Sequence, residues 1–305
     1  MKELSKKHRP KKLKQLVGQE TLVTTLQPML DDNALPHCVL IGGPTGCGKT
    51  TTARILAGEI KCGKQDFHEI NTADFRGIDM VREIRNRMML NPISGPVAMW
   101  LIDEAHQLSG PAQNAFLKMF EETPEHVYFV LATTDPNKLI ATIRNRATTV
   151  NVQLLAFSEL QTLIKRVAKK EGIKIGDDVI DKIATNAQGS ARQCLVLLDK
   201  VYRLKDEDDQ LDAIERATES ADGYKLAQML FRQTSWPDIA KLLKELNDDP
   251  ENVRWTVLGY ARSVLLGGGK GMKRAMLVIA KFQYNFYDTK AAGLAAACYE
   301  VFAER

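Results

Sequence analysis

The chain has 305 residues, enough for two or three domains, and its shares of hydrophobic (44%) and charged (26%) residues are ordinary for a globular protein. No apolar run approaches the ~18 residues that cross a bilayer, and no apolar segment with a cleavage site follows the basic N-terminal stretch, so we expect neither a membrane protein nor a secretory signal. The net charge of +4 is too small to identify a partner, and five scattered cysteines favour a reducing compartment over a disulfide framework.

Apolar segments and helical patterns alternate through the first 155 residues. The predicted strands are residues 38–42, 97–102 and 127–132, and the predicted helices are residues 50–61, 76–90 and 111–121. Continuous apolar strands that alternate with helices are typical of a parallel sheet covered on both faces. We therefore predict an α/β domain over residues 1–155.

A glycine-rich turn joins the first strand to the first of these helices and matches the pattern G-x-x-x-x-G-K-[ST]. Its glycines allow backbone N–H groups to surround phosphates, and the helix that follows adds its positive end. Lys49 is predicted to reach the β- and γ-phosphates of ATP, and the Thr50 hydroxyl to bind Mg²⁺. The predicted contacts to ATP in this turn are Gly43, Pro44, Thr45, Gly46, Cys47, Gly48, Lys49, Thr50 and Thr51.

Two acidic residues close the second predicted strand. Asp103 is expected to bind Mg²⁺, and Glu104 is expected to act as the general base that polarises the attacking water. With His106 they spell Asp-Glu-Ala-His, which is also the name of a class of helicases. Those helicases need two motor domains, whereas this sequence contains a single phosphate-binding loop.

The strand pattern stops near residue 155 and only helical patterns follow. Ser158 and Gln161 fit a capping box that would open a helix ending near residue 171, and further helices fit residues 177–186 and 190–204. The acidic run at 206–209 indicates a boundary, after which more helices follow with a break at 267–269. We predict a helical domain at 156–205 and a helical third domain at 206–305.

Several sequence runs resemble the AAA+ ATPases that load sliding clamps onto DNA. Residues 131–139 (Leu-Ala-Thr-Thr-Asp-Pro-Asn-Lys-Leu), 121–127 (Glu-Glu-Thr-Pro-Glu-His-Val), 7–10 (Lys-His-Arg-Pro) and 17–20 (Val-Gly-Gln-Glu) are similar to the gamma/tau subunit of bacterial DNA polymerase III. Residues 76–82 are closer to the small subunits of replication factor C. The resemblance covers about residues 5–205, and it implies a AAA+ domain, a helical lid domain and an all-α collar that forms the oligomer.

The resemblance implies further roles around the nucleotide. Arg9, Pro10, Val17 and Gly18 would lie near adenine and ribose. Thr134 would be the first sensor of the γ-phosphate or the attacking water. Arg192 would be a second sensor at the start of a lid helix, although a plain surface arginine is the alternative.

An arginine finger is also implied. Arg146 takes its position, within Asn-Arg-Ala where the family has Ser-Arg-Cys, and it would act on ATP held by the neighbouring subunit. Arg144 is a nearby alternative with the same charge.

In the resembling loaders the helix predicted at 76–90 faces both DNA and the clamp. Arg76 and Arg82 would contact DNA phosphates, unless they belong to a salt-bridged solvent face with neighbouring acids. Met88, Met89 and Leu90 would contact the sliding clamp, unless Met88 or Leu90 packs under the sheet.

One departure from the bacterial gamma subunits concerns zinc. Those subunits insert a four-cysteine zinc module after the first helix of the domain, whereas this chain has only Cys62 there, so we expect no zinc. Cys194 and Cys298 lie among apolar residues and are expected in the core.

Together these features predict an ATP- and Mg²⁺-dependent subunit that opens a sliding clamp and places it on primer–template DNA. Its partners would be other loader subunits, in a pentameric assembly, the clamp and DNA, in the cytoplasm of a bacterium or of a bacterial virus's host. The alternatives are another AAA+ machine, such as a helicase loader or branch-migration motor, and a non-hydrolysing structural subunit. The complete set Lys49, Thr50, Asp103 and Glu104 disfavours the structural subunit.

Overall fold

The computed structural model describes residues 3–72, 77–218, 221–246, 248–269, 271–286 and 289–304. The chain divides into two compact units, Met1–Glu207 and Asp208–Arg305.

The first unit contains a five-stranded sheet and nine helices among its described residues. In chain order these elements are α1 (Leu4–Lys7), α2 (Glu20–Asp31), β1 (Cys38–Gly42), α3 (Lys49–Glu59), β2 (Phe67–Asn71), α4 (Ile78–Met88), β3 (Ala98–Asp103), α5 (Gly110–Glu121), β4 (Val127–Thr133), α6 (Ala141–Arg146), β5 (Thr148–Asn151), α7 (Phe157–Glu171), α8 (Asp177–Asn186) and α9 (Ala191–Val201).

The sheet is parallel throughout, with the strand order β2-β3-β4-β1-β5. β1 lies between β4 and β5, and its last residue, Gly42, pairs with Thr133 on one side and Asn151 on the other. β3 lies between β2 and β4, so the acids that close β3 share the carboxyl edge of the sheet with the turn that follows β1. The predicted parallel α/β sheet is confirmed.

Successive strand residues face two separate hydrophobic cores, as the two-residue period of a strand requires. On one face, Ile41 and Val130 pack with Ile55 and Leu56 of α3. On the other face, Leu131 packs with residues of α4 and α5 such as Ile84, Met88 and Phe116. The helices thus cover both faces of the sheet.

Helices α7 to α9 pack on one another, and Leu163, Ile183 and Leu198 are among their buried residues. The capping prediction at Ser158 is wrong: α7 begins at Phe157, and the carboxylate of Glu159 accepts the backbone N–H of Ala156 at 2.7 Å. The observed pair has the same spacing of three residues, but its N-cap is an alanine, which has no side-chain oxygen, so the search for a serine placed the motif two residues too late.

The second unit is helical. Its helices are α10 (Glu207–Thr218), α11 (Ala221–Phe231), α12 (Trp236–Glu245), α13 (Pro250–Leu266), α14 (Met272–Phe282) and α15 (Lys290–Ala303). Helices α11 to α15 share one core that includes Leu230, Val257, Phe282 and Cys298. Cys194 of the first unit and Cys298 of the second are both fully buried, which confirms their predicted place in the core.

None of the helices in the described part of the chain combines the length and the apolar character that crossing a membrane requires.

Candidate nucleotide-binding site

The phosphate-binding loop connects β1 to α3, as predicted. Gly48 has φ = 110° and immediately precedes the first helical residue, Lys49, so this position needs the conformational freedom of glycine. Gly46 has φ = 78°, and a Cβ built on it would lie 2.2 Å from the Ser190 hydroxyl at the start of α9. The loop therefore lies close to the start of α9 at this point.

The loop surrounds the ammonium of Lys49. Its Nζ donates to the carbonyl oxygens of Gly43 (2.8 Å) and Pro44 (2.9 Å), and the side chain is buried. Burial lowers the pKa of Lys49, and the nearby carboxylates of Glu104 and Asp103 act in the opposite direction. The ammonium of Lys49 binds neutral carbonyl oxygens in this state. The charged oxygens of a polyphosphate are stronger acceptors, so the ammonium can bind them instead.

The two predicted magnesium ligands meet at the edge of the sheet. The Thr50 hydroxyl donates to Oδ2 of Asp103 at 2.8 Å, although the two residues are 53 positions apart in sequence. A hydroxyl and a carboxylate are the hard oxygen donors that Mg²⁺ prefers. These two residues therefore fit a Mg²⁺ ion that also binds phosphate oxygens.

Glu104 follows in a left-handed conformation, with φ = 53° and ψ = 39°. Its backbone N–H donates to Oδ1 of Asp103 at 3.0 Å, and its carbonyl accepts the Thr72 hydroxyl at 2.6 Å. Oε2 of Glu104 lies 3.4 Å from Nδ1 of His106. The carboxylate is thus placed beside the metal ligands at the sheet edge, where a general base is needed.

The predicted first sensor, Thr134, is half-buried and comes one residue after β4 ends. The residue before it, Thr133, is fully buried, and its hydroxyl oxygen lies 3.2 Å from Nδ1 of His106. Sequence reasoning did not single out Thr133 or Thr72, because threonines are common at strand ends. Their contacts to His106 and Glu104 are visible only in three dimensions.

Arg192 and Arg9 bring positive charge to the loop from two directions. Arg192 is the second residue of α9, its side chain is exposed, and its backbone N–H donates to the carbonyl of Gly46 at 3.3 Å. Burial, the proximity of Arg54 and, less strongly, that of Arg192 lower the pKa of Arg9, against the opposing effect of Glu69. Guanidiniums gathered in this way, with few acids among them, suit a polyanion such as ATP.

The predicted adenine-side residues lie in the N-terminal segment. Arg9 and Pro10 line a cavity of about 260 Å³ between this segment and α7. Gly18 has φ = 65°, and a Cβ on it would lie 2.5 Å from the Glu159 carboxylate, so the neighbouring Val17 is held close to the lid. The segment is fixed to the chain after β5, because Gln19 exchanges two hydrogen bonds with the backbone of Gln153 (2.8 and 3.0 Å).

All nine loop positions from 43 to 51 remain predictions as nucleotide contacts. Cys47 is buried among the core residues of the sheet, with Sγ 3.8 Å from the Thr45 carbonyl. Burial raises the pKa of Cys47, which keeps its thiol neutral despite the nearby Lys49.

Arg146 lies at the end of α6 and forms an ion pair with Glu121 at 2.6 Å. About half of each side chain is exposed, 46% for Arg146 and 58% for Glu121. Arg144 is more enclosed: it donates to Oδ1 of Asn137 at 3.1 Å, and its Nε is buried with no hydrogen-bond partner among the described residues. Of the two arginines, Arg146 is the more exposed.

Of the two arginines predicted to face DNA, Arg82 lies among the described residues and Arg76 does not. Arg82 points to solvent and pairs with Asp79 at 3.0 Å, with 66% and 89% of the two side chains exposed. An exposed pair of this kind is weak, so Arg82 can exchange Asp79 for a phosphate.

The clamp-facing prediction needs a correction at Met88. Met88 is 1% exposed and belongs to the core beneath the sheet, because the last turn of α4 directs it inward. Met89 (52% exposed) and Leu90 (68% exposed) face solvent, and so does Ile93 (80% exposed), which sequence reasoning missed. The exposed apolar group at this end of α4 is therefore Met89, Leu90 and Ile93.

No zinc site was predicted, and the described residues contain no cluster of three His, Cys, Asp or Glu side chains that could hold a metal ion. Cys62 is half-buried, and burial raises its pKa to about 11.

Two protein-family models match parts of this chain. The model described as DNA polymerase III, delta subunit, matches residues 64–156, and the Rad17 P-loop domain matches residues 2–104. Both matches lie within the Met1–Glu207 unit.

The chain is similar to DNA polymerase III gamma/tau and tau subunits. The chain is 34% identical to the DNA polymerase III subunit gamma/tau of Mycobacterium tuberculosis over 221 aligned residues, which cover 65% of this chain and 38% of the relative. It is 30% identical to the DNA polymerase III subunit tau of Bacillus subtilis over 325 aligned positions, which cover 96% of this chain and 57% of the relative. The chain thus spans less than two thirds of the length of these relatives.

Among solved structures, the fold is similar to that of the RuvB Holliday junction branch migration motor of Thermotoga maritima. The TM-score is 0.60 at 22% sequence identity, over 73% of this chain and 79% of that one. At this identity the likeness shows a shared fold alone. The sequence relatives show more: the chain is an AAA+ P-loop ATPase and a homologue of the DNA polymerase III gamma/tau subunits.

Proposed function

We propose that this chain hydrolyses ATP as a subunit of an assembly that opens a sliding clamp and places it on primer–template DNA. The observation that carries the proposal is the convergence of Lys49, Thr50, Asp103 and Glu104 at one edge of the sheet. Its sequence similarity to DNA polymerase III gamma/tau subunits supports the choice of clamp loading among AAA+ functions.

Each residue of the site has a distinct task in this proposal. The loop amides and Lys49 bind the β- and γ-phosphates, while Thr50 and Asp103 hold Mg²⁺. The bound metal neutralises charge on the phosphate oxygens. Glu104 orients a water molecule and takes up its proton, and Thr134 contacts that water or the γ-phosphate.

Binding of the nucleotide also involves groups outside the loop. Arg9, Pro10, Val17 and Gly18 form the side that receives adenine and ribose, and Arg192 reaches the phosphates from α9. Because α9 contacts the loop at Gly46, a change in the loop on ATP binding can move the lid helices. Residues 156–205 therefore act as a lid over the nucleotide, and residues 206–305 as the collar that joins subunits.

Assembly completes the site in this proposal. Arg146 is supplied to the ATP of the neighbouring subunit, in a pentameric ring or spiral. Arg82, together with Arg76, contacts the phosphates of duplex DNA, and the exposed group Met89, Leu90 and Ile93 contacts the clamp. Such a machine works in the cytoplasm of a bacterium or of a host cell infected by a bacterial virus.

The test is the ATPase rate of the purified assembly, alone, with its sliding clamp, and with clamp plus primer–template DNA. The proposal predicts that clamp and DNA together raise the rate by at least tenfold, and that Lys49→Ala removes the stimulated rate. An ATPase rate that DNA alone raises and that the clamp does not change would favour another AAA+ machine. Absence of turnover in the complete assembly would favour a structural subunit.

A further inference from the structure

We propose that Thr72 is a positioning residue for ATP hydrolysis, which holds the general base Glu104 through its main chain. The inference rests on the proposed ATPase function and concerns how the same site is oriented. Thr72 directly follows β2, the strand that pairs with β3, so its side chain lies next to the turn that carries Glu104.

The turn at Glu104 adopts a conformation that side chains rarely favour. With φ = 53° and ψ = 39°, Glu104 is in the left-handed region, where the Cβ of an L-residue crowds the carbonyl that follows. A non-glycine residue held there costs of order 1–3 kcal/mol and persists only when its surroundings fix it. The direction of the Glu104 carboxylate depends on this backbone conformation, so whatever fixes the turn also aims the base.

Three hydrogen bonds fix the peptide groups on either side of Glu104. Its N–H donates to Oδ1 of Asp103 at 3.0 Å, and its carbonyl accepts the Thr72 hydroxyl at 2.6 Å and the backbone N–H of Gln107 at 2.9 Å. The first bond sets the peptide before Glu104, and the other two set the peptide after it. Gln107 belongs to the short helical turn that Glu104 itself begins, whereas Thr72 ties that turn to the end of the neighbouring strand β2.

The hydroxyl of Thr72 has a second acceptor within reach, and the geometry decides between them. Its Oγ1 lies 3.0 Å from the carbonyl of Asp103, and each of the two carbonyls also accepts one backbone N–H, that of Thr72 at Asp103 (3.0 Å) and that of Gln107 at Glu104 (2.9 Å). A hydroxyl has one proton to donate, and the shorter distance of 2.6 Å is to Glu104. The backbone of Thr72 thus binds Asp103 while its side chain binds Glu104.

Thr72 is fully buried, so water cannot replace the lost hydroxyl if it is removed. The left-handed turn would then relax, and the Glu104 carboxylate would leave its place beside His106 and the metal ligands. Thr72 acts on the peptide of Glu104, and neither ATP nor Mg²⁺ is assigned to it. Its loss should slow turnover while ATP binding by the loop continues.

The experiment compares Thr72→Val, which has nearly the same shape but no hydroxyl, with Thr72→Ser, which keeps the hydroxyl. In the complete assembly we expect Thr72→Val to lower kcat by about 10- to 100-fold, as misplaced catalytic groups do, with the Kd for ATP within about twofold of wild type. Thr72→Ser should keep kcat within about threefold. If Thr72→Val does not fold, Thr72→Ala removes the same hydroxyl without setting a methyl group against the carbonyls.

A double mutant separates positioning from a general structural role. Adding Thr72→Val to Glu104→Gln should leave the residual rate unchanged, because there is no base left to aim. Wild-type kcat in both Thr72→Val and Thr72→Ala, a parallel loss of ATP affinity, or a further loss of rate in the double mutant would overturn the inference. Failure of the wild-type assembly to hydrolyse ATP would instead overturn the proposed function.

Discussion

Glu104 is the residue on which hydrolysis should depend most sharply. Its carboxylate lies beside His106, and Asp103 next to it is already bonded to Thr50. Glu104→Gln keeps the size of the side chain and removes the charge that can accept a proton from water. We expect ATP binding within about threefold of wild type and kcat lowered by about 10²- to 10³-fold, measured by nucleotide titration and by single-turnover phosphate release.

His106→Ala is an informative comparison for that result. His106 contacts the Glu104 carboxylate but is not assigned a proton-transfer role, so its loss should lower kcat less than Glu104→Gln does. Unchanged steady-state turnover in Glu104→Gln would remove Glu104 from the role of general base.

At the scale of single residues, the sequence pointed to the four residues that meet at the sheet edge, but not to the residues that hold them in position. Lys49, Thr50, Asp103 and Glu104 belong to short patterns in which each position has a fixed chemical task, so a linear pattern suffices to find them. Thr72 is different, because it reaches Glu104 only through the pairing of β2 with β3. A strand register is a three-dimensional fact that no motif in one segment contains.

Helix α4 offers a prediction about DNA at the scale of an element. Its arginines are paired at the surface, Arg82 with Asp79 and Arg87 with Glu83, each at 3.0 Å. If Arg82 contacts a phosphate, Arg82→Ala should weaken primer–template binding similarly across sequences and lower the slope of log K against log salt by about one. The measurement is a fluorescence anisotropy titration at several salt concentrations.

Arg87→Ala is the matched control for this titration, because it removes an equal charge from the same helix, near the end that is assigned to the clamp. An equal change of slope in Arg82→Ala and Arg87→Ala would indicate a general effect of charge. An unchanged slope in Arg82→Ala would show that Arg82 belongs to a solvated face.

Residues close together at the end of α4 differ sharply in how much of their side chain is exposed. Met88 is 1% exposed and packs beneath the sheet, whereas Leu90 is 68% exposed. Met88→Ala should lower the free energy of unfolding by about 2–5 kcal/mol, because it opens a cavity, and Leu90→Ala by less than about 0.5 kcal/mol. Denaturant titration of both variants measures the difference, and equal losses would contradict the assignment of Met88 to the core.

Asp66 connects this exposed segment to the rest of the domain. Its buried carboxylate accepts the backbone N–H groups of Ile93 (2.6 Å) and Ser94 (2.7 Å) and the Ser94 hydroxyl (2.8 Å). Burial by itself would raise the pKa of Asp66, but these bonds and one from Gly95 outweigh it and lower the pKa below the ordinary value near 3.8. The charged form of Asp66 therefore stabilises the folded segment.

The sign of the pH dependence follows from that lowered pKa. The stabilisation is complete above the ordinary pKa and is lost as the pH falls through the lower pKa of the folded state. Asp66→Asn should therefore reduce the exchange protection of the Ile93 and Ser94 amides at pH 6 to 7, and the difference from wild type should shrink below about pH 4. Asp79→Asn, which changes a largely exposed carboxylate, is the control and should leave that protection unchanged.

The two edge strands of the sheet were not predicted from the sequence. The three central strands β1, β3 and β4 are continuous apolar runs and were predicted within a residue or two. β2 (Phe-His-Glu-Ile-Asn) and β5 (Thr-Thr-Val-Asn) were not, since each has a neighbour on one side only and carries polar residues. Their place in the sheet is set by pairing with β3 and β1, which a local pattern does not reveal.

At the scale of the whole molecule, Arg146 is the residue whose proposed role requires an assembly. Its guanidinium pairs with Glu121 while about half of it stays exposed, and such a surface pair contributes at most about 1 kcal/mol. Exchange of Glu121 for a phosphate of another subunit therefore costs little. An arginine that neutralises charge on a transferring γ-phosphoryl group is worth roughly 10³- to 10⁵-fold in rate for GTPases.

A mixing experiment tests whether Arg146 acts between subunits. Arg146→Ala subunits keep an intact phosphate loop, and Lys49→Ala subunits keep an intact arginine, so each variant assembly alone should be nearly inactive. If Arg146 works in trans, subunit exchange joins good loops to good arginines at some interfaces, and part of the stimulated ATPase rate returns. Exchange is verified by energy transfer between labelled subunits, because a mixture that exchanges freely and stays inactive would assign Arg146 to its own subunit or to structure. Arg144→Ala is the comparison within the same helix: its more enclosed side chain predicts a loss of stability, with no recovery of rate that depends on mixing.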